Sequence, residues 1–219
     1  MDNRKRKEAR ISSGIPDKLS DRAYNIAVGG FTAYGLIISA ILASVLDGRI
    51  DNPLVFIICY FVFGIAGILM AVKSDNPIVS FIGYNLLVVP VGFVVDVCVE
   101  QYIATDVISA FAVTGFITVI MVGIASIKPD IFQGMGRTLF ISLIVAIIAE
   151  IIAMIFGYGG DLFNWIFVVI FSLYLGFDWY AAQSYPKTLD NAIDSALDIY
   201  LDIINLFIRL LEILGKKDD

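Results

Sequence analysis

Residues 107–127 read Val-Ile-Ser-Ala-Phe-Ala-Val-Thr-Gly-Phe-Ile-Thr-Val-Ile-Met-Val-Gly-Ile-Ala-Ser-Ile, and no charged side chain interrupts them between Asp106 and Lys128. Crossing the hydrocarbon layer of a bilayer takes about 20 apolar residues in a helix, because a helix satisfies its own backbone where water is absent. The stretch therefore reads as a membrane span. Outward from it, charge-free runs of similar length occupy 23–46, 52–72 and 76–95. Three further apolar runs, 138–160, 162–185 and 190–214, have the same character but contain acids. Between the runs lie Asp47 to Pro53, Asp75 to Pro77, Asp96 to Asp106, Lys128 to Arg137, Gly157 to Asp161 and Tyr185 to Lys187. Five of these separators combine charge with Gly or Pro, which break helices and mark turns, and Asp96 to Asp106 carries charge alone. The pattern predicts an all-α integral membrane protein of seven transmembrane helices.

Composition points the same way. Of 219 residues, 59% are apolar and only 16% charged, where a soluble domain has about 45–50% and about 25%. Mean hydropathy is +0.87. These values exclude a water-soluble globule. The 15 basic and 21 acidic residues leave a net charge of -6, which argues against nucleic acid as a partner, since phosphates need a basic face. There is no His, so imidazole metal sites and His-based triads are absent and acid–base or cation chemistry falls to carboxyl groups. Cys59 and Cys98 both lie in apolar stretches and read as small buried hydrophobes, with no disulfide framework.

The predicted organisation is a basic tail over 1–22, one membrane domain over 23–214 and a polar tail over 215–219. Arg4, Lys5, Arg6, Lys7, Arg10, Lys18 and Arg22 precede the first span, and alternation puts Lys73, Lys128, Arg137 and Lys187 on the same side, with Arg49 opposite. The positive-inside rule then places the N-terminus in the cytoplasm. An odd number of spans puts the C-terminus outside, against which Lys216 and Lys217 pull. The tail has no short apolar core with a small-residue cleavage site, so the first span is expected to stay in the protein. Gly29, Gly30, Gly64 and Gly67 read first as ordinary membrane-helix glycines and second as points of close helix approach.

The acids in the last three runs are the informative departures. Asp190, Asp194, Asp198 and Asp202 recur every four residues, and four residues turn a helix by about 400°, so they form one slowly drifting stripe. Asp190 and Asp194 read as helix-start acids in water, complementing the dipole. A helix starting near residue 190 carries Asp198 and Asp202 about 12 and 18 Å along its axis, well into a hydrocarbon layer of roughly 30 Å. Acids at that depth face the bundle interior or a wet cavity and mark function. Asp178 lies seven residues before the turn at Tyr185, at a depth similar to Asp198 and Asp202 across an antiparallel pair. Two carboxyl groups in one low-dielectric pocket titrate as a unit. They suit a proton sensor, and deprotonated they offer the oxygen ligands that Ca²⁺ prefers. A protonated Asp serving as interhelical glue is the structural alternative. Glu150, inside 138–160, reads equally as a ligand on a cation path or as a neutral acid bonded to a neighbouring helix. Asp96, Glu100 and Asp106 read as solvated loop acids.

The run from Phe171-Ser-Leu-Tyr to Asp178, followed by Ala196-Leu-Asp-Ile-Tyr-Leu-Asp202-Ile-Ile-Asn205-Leu-Phe207, resembles the signature of the Bax inhibitor-1 (transmembrane BAX inhibitor motif) family, in particular its bacterial YetJ-like members. Ala110-Phe111 to Gly115-Phe116 is similar to a further part of that pattern. The resemblance implies seven membrane helices with a central C-terminal helix, a pH-sensitive calcium leak, and a paired-aspartate site at Asp178 and Asp202, 24 residues apart. It also implies the plasma membrane as location if the host is bacterial. The family's Glu and Arg in or beside the second helix are missing from 52–72, where only Lys73 lies near.

The expected function is a pH-sensitive Ca²⁺ (cation) leak channel gated by Asp178 and Asp202. Asp198 and Glu150 are further candidates on the cation path. Expected partners are the lipid bilayer, Ca²⁺ and protons; Ca²⁺ is a permeant or transient ligand of the two aspartates, no cofactor is tightly bound, and no sequence motif points to a protein partner. An intramembrane aspartyl protease shares a proton between two aspartates, but Gly176-Phe-Asp178 and Leu201-Asp202 lack its Gly-x-Gly-Asp pattern, and an enzyme is not expected. A retinal receptor needs a Lys in the last helix, and 190–214 has none. Two alternatives stay open: a non-conducting membrane regulator of stress or cell death, and a proton-coupled secondary transporter.

Overall fold

The computed structural model describes residues 18–45, 52–158 and 160–215. The basic residues from Arg4 to Arg10, the turn acids Asp47 and Asp51 with Arg49, and Lys216 with Lys217 lie outside these. Among the described residues the chain forms seven α-helices and no strand: α1 (Asp21–Val45), α2 (Pro53–Lys73), α3 (Pro77–Val99), α4 (Ala104–Ile127), α5 (Gly136–Ile155), α6 (Asp161–Ser184) and α7 (Leu189–Leu214), with a 3-10 turn at Pro129–Ile131. Six of them, α1 to α6, are long and apolar enough to cross a membrane. The seventh is 26 residues long, but its acids set it apart.

The helix starts follow from local chemistry. Asn52 and Asn76 accept from the backbone N–H of Val55 and Ile78 at 3.2 and 2.9 Å, and each is followed by a proline in the first turn, where a missing N–H costs nothing. α5 closes in a Schellman turn, with Tyr158 N–H donating to Ala153 O and Gly157 N–H to Met154 O. Gly157 has φ +76, a conformation that a side chain disfavours. The third helix runs four residues beyond the predicted 76–95, so the connection to α4 is shorter than Asp96 to Asp106.

The described residues gather into two compact units, one formed by those up to Glu100 with Ala182–Tyr200, the other by those from Gln101 to Ala181 with those from Leu201 on. In the first unit α2 meets α3 backbone to backbone: a Cβ at Gly67 would lie 2.5 Å from Gly83 O, and one at Gly83 2.6 Å from Gly67 O. Gly29, Gly30 and Gly64 have nothing within 4 Å, so only Gly67 of the four is a close-packing glycine. The Tyr24 hydroxyl makes hydrogen bonds with Ala182 O, Asn191 O and Ser195 Oγ at 3.1, 3.3 and 3.1 Å. Ser39 and Tyr200 share a hydrogen bond of 2.6 Å. In the second unit Phe132, 1% exposed, packs on Gly176, where a Cβ has no room, and Trp179 donates to Ser126 Oγ at 2.8 Å.

Large apolar side chains such as Phe61 and Ile65 of α2, Phe116 and Val119 of α4, and Ile148 and Ile151 of α5 stand exposed. On a soluble protein so many would drive aggregation; on membrane helices they face lipid. Cys59 and Cys98 form no disulfide and are half-buried, rather than fully enclosed as expected.

Candidate functional site

α7 carries its acids inward. Asp190, Asp194 and Asp202 are buried, with 6%, 2% and 6% exposure, and Asp198 is half-buried. The expectation that Asp190 and Asp194 sit in water is therefore corrected. The reason for Asp190 is specific: Ser80 of α3 donates its hydroxyl to Asp190 Oδ1 at 2.6 Å, so this carboxyl exchanges water for a hydroxyl within the first unit. Asp96, expected in a solvated loop, is also buried in the last turn of α3, whereas Glu100 is exposed as expected.

In the second unit Asp178 and Asp202 share one electrostatic neighbour. The Tyr174 hydroxyl, one turn before Asp178 on α6, lies within electrostatic reach of both carboxyl groups. Asp178 is half-buried and Asp202 buried. The sequence did not single out Tyr174, although its i, i+4 relation to Asp178 puts both on one helix face.

Glu150 belongs to a different arrangement. Arg209 of α7 donates Nη1 to Glu150 Oε1 at 2.6 Å and Nη2 to Glu150 Oε2 at 3.0 Å, a two-pronged pair between α5 and α7. Nη1 also donates to Asn164 Oδ1 of α6 at 2.9 Å and to Glu212 Oε2 at 3.4 Å. The guanidinium lies over the Phe167 ring, 4.1 Å from its centroid. Glu150 thus has a base at its own level, Arg209, which the sequence reading did not single out. Such forked geometry matches a carboxylate with two parallel N–H donors, which an ammonium cannot do.

A ladder of rings connects the two arrangements. Phe167 stacks on Phe171 at 6.1 Å, and Phe171 meets Tyr174 at 6.5 Å. On α7, Arg209 is seven residues after Asp202, nearly two full turns, which places both on one face about 10.5 Å apart along the axis. One strip of α6 and α7 therefore runs from the two carboxyl groups at Tyr174 to the ion pair at Arg209. Among the described residues no group of three or more His, Cys, Asp or Glu side chains has the geometry to hold a metal ion.

These features define a multi-pass, all-helical integral membrane protein with acids enclosed among its helices. The family model described as inhibitor of apoptosis-promoting Bax1 matches residues 18–219, and the chain belongs to that family. A stretch of 112 residues is 34% identical to an uncharacterized protein of Helicobacter pylori, covering 47% of this chain and 46% of that one. A stretch of 137 residues is 30% identical to an uncharacterized membrane protein of Streptococcus pyogenes serotype M3, covering 58% and 59%. The chain spans about half the length of the curated relatives it matches.

Proposed function

We propose that this protein is a pH-sensitive leak for Ca²⁺ and related cations, gated by Asp178 of α6 and Asp202 of α7, with α7 as a central seventh span and the N-terminus in the cytoplasm. The observation that carries the reading is that Asp178 and Asp202 both lie within electrostatic reach of the Tyr174 hydroxyl, with Asp202 buried. Carboxyl groups are costly in a hydrocarbon environment and are retained there for ion or proton traffic. Two of them in one pocket couple their protonation, so proton uptake changes the charge a cation meets. Oxygen donors suit Ca²⁺ as a passing ion rather than a resident one.

α7 supports its role as a span by length and enclosure. Its 26 residues extend about 39 Å at 1.5 Å each, enough for a hydrocarbon layer of roughly 30 Å. Asp198, half-buried four residues before Asp202, is a further candidate along the path.

The test is Ca²⁺ entry into dye-loaded liposomes holding the purified protein, from acid to neutral pH, beside Asp178→Asn and Asp202→Asn. The expected result is a pH-dependent leak whose pH profile flattens in both variants. A leak with unchanged profile in both variants overturns the gate. Absence of any leak favours the non-conducting regulator, and uptake against a gradient favours the proton-coupled transporter.

A further inference from the structure

We infer that Arg209 sets the valence preference of the leak: it is a fixed positive charge that restrains divalent relative to monovalent cations at the C-terminal end of α7. The inference rests on the leak reading above and concerns a residue outside the aspartate pair. Its basis is position. Arg209 shares the Asp202 face of α7, and the ladder Phe167–Phe171–Tyr174 continues that strip along α6. A cation leaving the carboxyl groups along the strip next meets the guanidinium and its acidic partners.

The charge count at that point is specific. One guanidinium faces two carboxylates, Glu150 at 2.6 Å and Glu212 at 3.4 Å. Asn164 adds a neutral oxygen at 2.9 Å. Removing Arg209 makes the same place one unit more negative; removing either glutamate makes it one unit more positive. Coulomb energy scales with the charge of the passing ion, so each unit changed here acts twice as strongly on Ca²⁺ as on K⁺. Arg209 is also held by four residues, Glu150 of α5, Asn164 and Phe167 of α6, and Glu212 of its own helix, so its charge is fixed in place rather than swinging on a flexible stem.

A latch made by the same ion pair gives a different signature. If the pair only holds α5 to α7, removing either partner loosens it, and both removals shift conduction in the same direction. A charge filter responds in opposite directions to loss of the base and loss of an acid.

The experiment measures Ca²⁺ and K⁺ flux at low ionic strength in liposomes holding wild type, Arg209→Gln, Arg209→Lys, Glu150→Gln or Glu212→Gln. The Ca²⁺-to-K⁺ ratio is expected to rise roughly three- to tenfold in Arg209→Gln and to fall by a similar factor in Glu150→Gln, with both shifts shrinking as salt is added. Arg209→Lys brings the ratio back toward wild type. Glu212→Gln spares the two-pronged pair, so it reports on charge even where an Arg209 variant fails to insert, and its ratio is expected to fall. A ratio shifted in the same direction in Arg209→Gln and Glu150→Gln, or left unmoved in Glu212→Gln, overturns the filter while the leak stands. No flux in wild type, with either ion, overturns the leak and the filter together.

Discussion

Lys187, just before α7, and Arg209, near its end, are both cations laid over an aromatic ring: Lys187 Nζ is 4.4 Å from the Tyr24 centroid and the Arg209 guanidinium 4.1 Å from that of Phe167. Their other partners differ in kind. Lys187 donates to Gln183 O and Gln183 Oε1 at 3.1 and 2.9 Å, both neutral, whereas Arg209 is forked onto a carboxylate. A ring and an amide replace part of an ammonium's hydration but none of its counter-charge. The Lys187 ammonium is accordingly held below the ordinary lysine range by burial, with Asp21 pulling it back up. The chain thus uses an ammonium just before α7, where the hydrogen-bond partners are neutral, and a guanidinium near the end of α7, where the partner is charged and planar, as their hydration and geometry favour.

The comparison breaks most visibly at the charged end. Arg209→Leu leaves Glu150 beside apolar surface without its base, and the expected loss is about 3 kcal/mol, toward the low side for enclosed pairs because both side chains keep about a fifth of their exposure. The double variant Arg209→Leu with Glu150→Leu is expected to recover most of that loss, since an apolar pair of similar volume needs no counter-charge. Thermal unfolding in detergent measures both. A double variant as unstable as the single one would show that the cost comes from lost packing on Phe167 instead.

Next in size is the hydroxyl at the neutral end. Tyr24→Phe keeps the ring beneath Lys187 but removes the hydrogen bonds to Ala182 O, Asn191 O and Ser195 Oγ, for an expected loss of about 1.5 kcal/mol. The cation–ring contact survives, so Lys187 should keep its depressed titration in this variant. An accompanying return of Lys187 to ordinary behaviour would show that the hydroxyl network, rather than burial under the ring, holds it there.

Much of this architecture is legible in sequence, and the limit falls at partners distant along the chain. The spans declare themselves because lipid demands about 20 uncharged residues together, and Asn52-Pro53 and Asn76-Pro77 mark their starts through contacts within three residues. The stripe of aspartates on α7 is visible from its period of four. The partners of those acids are not. Ser80 is 110 residues from Asp190 and Glu150 is 59 from Arg209, so each pairing depends on which helix faces which. That is why Asp190 reads as a solvated helix-start acid, and why the reading of Glu150 names no base as its partner. The seven-residue step from Asp202 to Arg209 was available as a signal that both share a face.

The smallest expected effect concerns pH and Lys187 alone. Its folded-state pKa lies below the unfolded value, so between the two the unfolded chain binds more protons than the folded one. Stability therefore rises as pH climbs through that window toward the ordinary lysine value, and below it the full cost of the enclosed ammonium is present. Lys187→Gln removes the proton and should flatten this rise while leaving the rest of the melting profile in place. Asp21→Asn should steepen it, because Asp21 is the charge that opposes the burial effect. Melting temperatures of the three proteins from neutral to alkaline pH decide the matter: a wild-type profile that falls across the window, or an Asp21→Asn profile shallower than wild type, would mean that the ammonium gains more from the Tyr24 ring and Gln183 than it loses in hydration. The neutral end of α7 would then hold its cation as securely as the charged end does.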